Sequence, residues 1–350
     1  MASPPTPFHS LFVEPASGRT PVLSSISNAV RSVDLAIYEV NDPTLVSVLM
    51  AAQKRGVAVR VLYNWYSFDA TTQQSLIVPT INQLSQGGVL CRRAPQTFEV
   101  THEKVCVIDD STAMVMTFNW DAEYFESTRD FGVLTTVLSE VQEIAAVFEA
   151  DWNSRPVVPS AATLVWSPTN SRARLAALVA SASRTLEVYN EELSDPGILG
   201  DLVSAARRGV KVRVIAAVFA SEGKANANAA GITYLTSNGV QAVCKAFPVS
   251  TSGETFPIYI HAKVIVADFG TSNAQAFVGS ENFSCVSLDD NRECGILVSE
   301  PTVLAQIEST FESDWAQPNV PVNPDATPLS PCPADSAARS IARVASRKSA

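Results

Sequence analysis

The chain repeats itself. Ala51-Ala52-Gln53-Lys54-Arg55-Gly56-Val57-Ala58-Val59-Arg60-Val61 returns as Ala205-Ala206-Arg207-Arg208-Gly209-Val210-Lys211-Val212-Arg213-Val214, one residue shorter. Phe148-Glu149-Ala150-Asp151-Trp152 returns as Phe311-Glu312-Ser313-Asp314-Trp315. A period of roughly 155–160 residues is far too long for a solenoid unit and instead implies two similar domains in tandem. Each half alternates strand and helix patterns. Asp34 to Val40 reads as a strand. Asp42 then caps a helix that runs through Arg55, with Pro43 at its first position. Gly56 suits the left-handed residue that ends it, and Val57 to Tyr63 is the next buried strand. The second half repeats the pattern, with Asp195-Pro196 opening a helix and Gly209 closing it. Such alternation predicts the α/β class, with helices outside a central sheet in each half.

A short phrase carries the chemistry. His102-Glu103-Lys104 with Asp109, and His261-Ala262-Lys263 with Asp268, both read H-x-K-x4-D. The chain has three histidines, so two belong to this phrase, and His9 stands alone near the N-terminus as an unremarkable residue. Downstream, Thr117-x-Asn119 and Ser280-x-Asn282 each pair a hydroxyl with an amide. Arg129-Asp130 and Arg292-Glu293 each put a base and an acid ahead of a glycine. The phrases open strands at Val105–Asp110 and Val264–Asp268, where alternation sets His and Lys on one face. Two imidazoles, two ammonium groups and two amides supply a nucleophile, an acid and donors for nonbridging oxygens. That set can cleave a phosphodiester without a metal.

These spacings, from about residue 8 to 317, resemble the phospholipase D superfamily, also called the HKD family. The resemblance implies two tandem phospholipase D-like α-β-α sandwich domains forming a pseudo-twofold, bilobal monomer. Residues 1–155 form the first half and 160–317 the second, with a linker around 153–162. A Pro/Ser/Ala-rich tail, 318–350, is expected to be poorly ordered. The resemblance also implies a two-step reaction through a covalent phosphohistidine. His102, Lys104 and Asn119 of one half would act with His261, Lys263 and Asn282 of the other. His102 is taken as nucleophile and His261 as acid/base, although the residues alone do not distinguish them. Thr117 and Ser280 would support the phosphate pocket, and Asp130 and Glu293 would orient the imidazoles. Asp109 and Asp268 are read as holding local structure. The first copy departs from the family pattern with Met116-Thr117 for Gly-Ser and Asp130 for Glu, so the half-sites are unequal.

Composition narrows the substrate. Net charge is −10, made of −7 over residues 1–157, −5 over 158–322 and +2 over the remainder. Neither body half is basic, which disfavours nucleic acid, although Arg92, Arg93, Arg129, Lys245 and Arg292 could form a local track. The expected partners are a phospholipid substrate at a membrane surface, bound peripherally, with water or a small alcohol as acceptor. A superfamily nuclease and a cardiolipin- or phosphatidylserine-synthase-like transferase are the alternatives. A non-catalytic phosphate- or lipid-binding protein is the reading from outside enzymology. Trp65, Tyr66 and Phe68 are candidates to line an acyl or headgroup pocket. No cofactor or metal is expected, and a duplicated chain needs no partner protein to complete its site. No membrane span or signal peptide is visible, so the chain reads as cytoplasmic or as a mature secreted form. Six cysteines lie without C-x-x-C spacing; Cys106 and Cys294 read as buried thiols, and the redox compartment stays open.

Overall fold

A computed structural model describes residues 8–64, 68–69, 74–75, 77–160, 162–219, 226–251 and 253–333. Trp65 and Tyr66 lie outside the described residues, and the side chain of Phe68 is not described.

The duplicated sequence gives a duplicated sheet. In the first half the strand order is His9–Glu14, Thr128–Thr135, Thr112–Met116, Lys104–Ile108, Ser32–Ile37, Ala58–Tyr63 and Leu90–Arg93. In the second it is Leu164–Ser167, Glu293–Val298, Gln275–Gly279, Val264–Ala267, Thr185–Asn190, Lys211–Ala216 and Gln241–Lys245, the same order position by position. The neighbouring strands joined by a crossover helix run parallel, as a crossover requires, and the other neighbours in these two orders pair antiparallel.

The expected helices form. Pro43–Lys54 starts where the Asp42 carboxylate accepts from the Thr44 and Leu45 amides, and Pro196–Arg207 starts where Asp195 accepts from Ile198. Gly56 and Gly209, at φ 94° and 93°, turn the chain out of each helix in the left-handed region that a side chain resists. The strand expected over Asp34–Val40 ends at Ile37. Beyond it the Asn41 and Asp42 amides donate to the Trp120 carbonyl, which bends the chain toward the helix cap.

Three apolar clusters organise the molecule. One lies beneath the outer helices of the first half and one beneath those of the second. The third is shared. Val105, Val115, Phe131 and Val133 of one sheet meet Val264, Val278 and Ile296 of the other, with Leu138–Trp152 and Pro301–Trp315 contributing Ile144, Phe148, Ile307 and Phe311. The halves therefore share a core and do not merely touch. Lone pairings reinforce it: Tyr259–Ile260 of the second half lies parallel to Thr128 and Arg129 of the first, and Thr101 bridges Arg292 in the symmetric place.

The tail differs from its expectation over its first part. Asn319–Val320 adds an eighth strand to the second sheet beside Gln241–Lys245, and Cys332 forms a disulfide with Cys285. Low hydrophobicity alone predicts a loose segment, but a strand edge and a covalent bridge provide the anchor that the composition lacks. Cys106 and Cys294 are buried free thiols, as expected. Among the described residues no helix is long and apolar enough to cross a membrane.

Candidate active site

Each histidine is placed by the opposite half. The amides of His102 and Glu103 donate to the Arg292 carbonyl at 2.8 and 2.9 Å, and those of His261 and Ala262 donate to the Arg129 carbonyl at 3.2 and 2.9 Å. That backbone clasp sets the next residue along each strand beside the imidazole. Glu293 Oε2 lies 2.8 Å from His102 Nδ1, and Asp130 Oδ1 lies 3.0 Å from His261 Nδ1. Each carboxylate thus lies against the imidazole of the other half. With Nδ1 bound to a carboxylate, Nε2 is the nitrogen left for chemistry.

The arginines that carry the clasp are locked in the same crossed fashion. Arg129 forms a two-point pair with Asp314 at 2.7 and 2.9 Å, and Arg292 with Asp151 at 2.8 and 2.9 Å. The duplicated Phe-Glu-x-Asp-Trp phrase therefore has a purpose that sequence reading missed: its aspartate receives the other half's arginine. This removes Arg129 and Arg292 from any nucleic-acid track. Arg92 donates to the Trp152 carbonyl, and Lys245 to that of Trp315, which occupies two more of the five.

The lysines are buried at the heads of the central strands. Lys104 Nζ donates to the His102 carbonyl, and Lys263 Nζ to that of His261. Burial, with Lys263 nearby, lowers the Lys104 ammonium to about 7, while Glu293 opposes the shift. Burial also lowers His102 to about 4, with Lys104 and Lys263 adding to the effect against Glu293. Burial opposes the charge of Glu293, but His102 and Lys104 prevail and hold it below the usual carboxylate range. At neutral pH His102 is therefore an uncharged imidazole, hydrogen-bonded through Nδ1 to Glu293.

Asn119 and Asn282 face the cleft, and each has a buried amide oxygen without a partner. The hydroxyls do not join them. Thr117 donates to Asp130 and accepts from the Phe131 amide, and Ser280 exchanges bonds with the backbone of Cys294. Residues two apart in these turns split their duties: the amide points into the cleft and the hydroxyl fixes the neighbouring strand that bears the carboxylate. Neither hydroxyl is bonded toward the cleft in this structure. Asp109 and Asp268, at φ 55° and 54°, follow their strands and accept from the amides of residues 30–32 and 183–185, each within its own half.

The histidines and asparagines line one cleft of about 630 Å³, together with Tyr38, Tyr124, Glu191 and Glu192. Ser330, Pro331 and Pro333, beside the bridged Cys332, close a further wall. Tyr38, Glu191 and Glu192 were missed from sequence. The clue was available: the halves align on Asp42-Pro43 and Asp195-Pro196, which sets Tyr38 opposite Glu191. Asp195, Cys285 and Cys332 are the one grouping with metal-ligand proximity among the described residues, but both sulfurs are joined to each other.

Comparison with known proteins gives consistent findings. The family described as "Cardiolipin synthase, PLD-like domain" matches twice, over residues 22–152 and 175–315. A mitochondrial cardiolipin hydrolase of Xenopus laevis is 26% identical over 131 residues, covering 37% of this chain and 59% of that protein. The chain thus spans less than two thirds of that relative's length. Phosphatidylserine synthase of Haemophilus influenzae superposes with a TM-score of 0.62 at 14% identity, over 97% of this chain and 94% of that one. Polyphosphate kinase of Porphyromonas gingivalis superposes with a TM-score of 0.66 at 13% identity, over 98% of this chain but 56% of that one. At such identities the structural likenesses establish the fold.

Proposed function

The chain belongs to the phospholipase D-like family, of which it holds two domains, and on that premise we propose that it is a phosphodiesterase or phosphatidyltransferase acting on phospholipids through a covalent phosphohistidine. One observation carries the reading: two imidazoles share one cleft, each bound at Nδ1 to a buried carboxylate of the other half. In the first step the lone pair of His102 Nε2 attacks phosphorus, and the bond from phosphorus to the headgroup oxygen breaks. His261 gives that oxygen its proton. In the second step His261 takes a proton from water or an alcohol, whose oxygen attacks phosphorus and breaks the P–N bond. His102 returns to its starting state.

The residues divide the work in a chemically sensible way. A general acid contributes roughly 10²–10⁴ in rate, because an alkoxide is a poor leaving group. Lys104, Lys263, Asn119 and Asn282 would meet the nonbridging oxygens, where preplaced donors contribute about 10²–10³ each. An arriving phosphate anion favours the charged form of Lys104, whose ammonium burial holds at about 7. A phospholipid is preferred over nucleic acid because the acidic chain has turned four of its five candidate cations into structural contacts. The cardiolipin hydrolase and phosphatidylserine synthase named above are consistent with that choice.

Mixed-phospholipid vesicles, excess primary alcohol and EDTA, read by mass spectrometry, test the proposal. Phosphatidyl-alcohol that disappears in His102→Asn is the expected result. Absence of any lipid product would sink the lipid reading, and single-stranded DNA would be the next substrate. Transfer to the alcohol in preference to water would favour a synthase-like role over hydrolysis.

A further inference from the structure

On the cleft wall the pseudo-twofold relation breaks between Tyr38 and Glu191. Tyr38 and Glu191 occupy the same place in the two halves, a register fixed by the matching bridges of Val40 to Trp120 and of Leu193 to Phe283. The Tyr38 ring lies 5.2 Å from the His102 ring and 5.6 Å from the Lys104 ammonium. Glu191 does something different. Its Oε2 accepts from Lys263 at 2.9 Å and from Asn282 at 3.2 Å, and lies 3.5 Å from His261 Nε2. Its Oε1 accepts from the Tyr259 hydroxyl at 2.8 Å. His261 therefore has a carboxylate at both ring nitrogens, Asp130 at Nδ1 and Glu191 at Nε2. His102 has one such neighbour among the described residues, Glu293 at Nδ1.

An imidazole flanked at both nitrogens by carboxylates is favoured with a proton on each. An imidazole flanked at one keeps its proton there and leaves a lone pair at the other. We propose that Glu191 is a positioning residue that assigns the two histidines their roles, holding the proton on His261 Nε2 and so leaving the nucleophilic lone pair to His102. This rests on the phosphodiesterase reading of the site and answers a question that the duplicated motif leaves open. The other groups facing His261 do not supply the asymmetry. Asp130 has its mate in Glu293, and Lys263 in Lys104. Tyr124 and Tyr259 are neutral, and the Arg129 guanidinium turns away to Asp314. Glu192 reaches the cluster through Asn282 and is pushed up to about 7 by burial and by Glu191. Glu191 itself is held well below the usual carboxylate range: burial opposes its charge, but Lys263 and His261 overcome that penalty. It is thus a fixed negative charge beside one imidazole and not the other.

With three histidines in the chain, nitrogen NMR of 15N-histidine-labelled protein can tell protonated from bare ring nitrogens one residue at a time. At pH 7 wild-type His261 should show N–H at both positions and His102 a bare Nε2. In Glu191→Gln, and in Glu191→Tyr, which rebuilds the first-half arrangement, His261 Nε2 should turn bare at the same pH while His102 is unchanged. Unchanged His261 resonances in both variants would overturn the proposal. Turnover adds two readouts. The alkaline limb of the kcat/KM profile should move to lower pH by roughly one unit in Glu191→Gln, as loss of an adjacent opposite charge predicts. Peptide mapping of the intermediate after an alkaline quench, chosen because a P–N bond hydrolyses in acid, should place the phosphoryl group on His102, and a label on His261 would refute the assignment. If the NMR result holds but no phospholipid is turned over, the substrate reading fails and the role of Glu191 stands.

Discussion

The two halves have the same strand order, the same helix caps and the same motif, yet their active-site walls differ. Around His102 stand the Tyr38 ring and one carboxylate; around His261 stand the Tyr124 and Tyr259 rings, two carboxylates and a lysine already paired. Glu14 of the first half, beside Asp130, has Ser167 as its counterpart beside Glu293. The described part of the tail is tied to the second half, by the strand beside Gln241–Lys245 and by the bridge to Cys285. Duplication supplies a symmetric scaffold, and a few substitutions near the axis are enough to make two identical motifs do different things. Because each half donates its carboxylate and its arginine carbonyl to the other, neither half-site is complete alone.

The strongest test of that comparison removes one histidine at a time. His102→Asn should lower kcat by about 10⁴-fold or more, as removal of a nucleophile does. His261→Asn should cost roughly 10²–10⁴ with a good leaving group demanding less of the acid. Equal losses on activated and natural esters would blur the distinction between acid and nucleophile. Next in size is the crossed ion-pair lock. Arg292→Ala leaves Asp151 buried and uncompensated and should destabilise by about 3–5 kcal/mol in denaturant unfolding. Arg129→Ala should act similarly through Asp314, and a variant losing under 0.5 kcal/mol would show that the halves are held by the shared core alone.

The bridge between Cys285 and Cys332 closes a loop with a sequence separation of 47, so Cys332→Ser should cost roughly 2–4 kcal/mol in the chain-entropy picture. Thermal melts with and without reductant check this, and a reductant effect that persists in Cys332→Ser would assign it elsewhere.

The smallest effect concerns Glu14. Burial pushes its carboxyl up to about 8, with Asp130 adding and Arg19 and Arg129 opposing. A folded-state value above the unfolded one means that its contribution is present at low pH and is lost as pH rises from about 4.5 through 8. Glu14→Gln should therefore gain Tm over wild type as pH rises from 5 to 8, by roughly 2–4 °C. A constant difference across that range would show that Glu14 does not titrate there.

Local chemistry made much of this legible without coordinates. Asp42-Pro43 and Asp195-Pro196 announce helix starts because a capping carboxylate and a proline act on their own few amides. The left-handed glycines and the β-branched strands are equally local. Of the residues that the two H-x-K-x4-D phrases and the motifs downstream of them singled out, His102, Asn119, His261 and Asn282 line the cleft. What the chain order hides is which half each partner comes from. Glu293 beside His102, Asp130 beside His261, Asp151 under Arg292 and Asp314 under Arg129 are contacts across well over a hundred residues. They exist because the clasp between the halves brings each arginine carbonyl to the opposite histidine. The same holds for the hydroxyls of Thr117 and Ser280, whose direction depends on the strand they meet, and for the tail, anchored by a cysteine far from it in sequence. The sequence determined two copies of one sandwich and the chemical inventory of the site. Only the tertiary structure decided how the copies interlock and which carboxylate stands at which nitrogen, since charge separation in space, and not along the chain, sets where a proton resides.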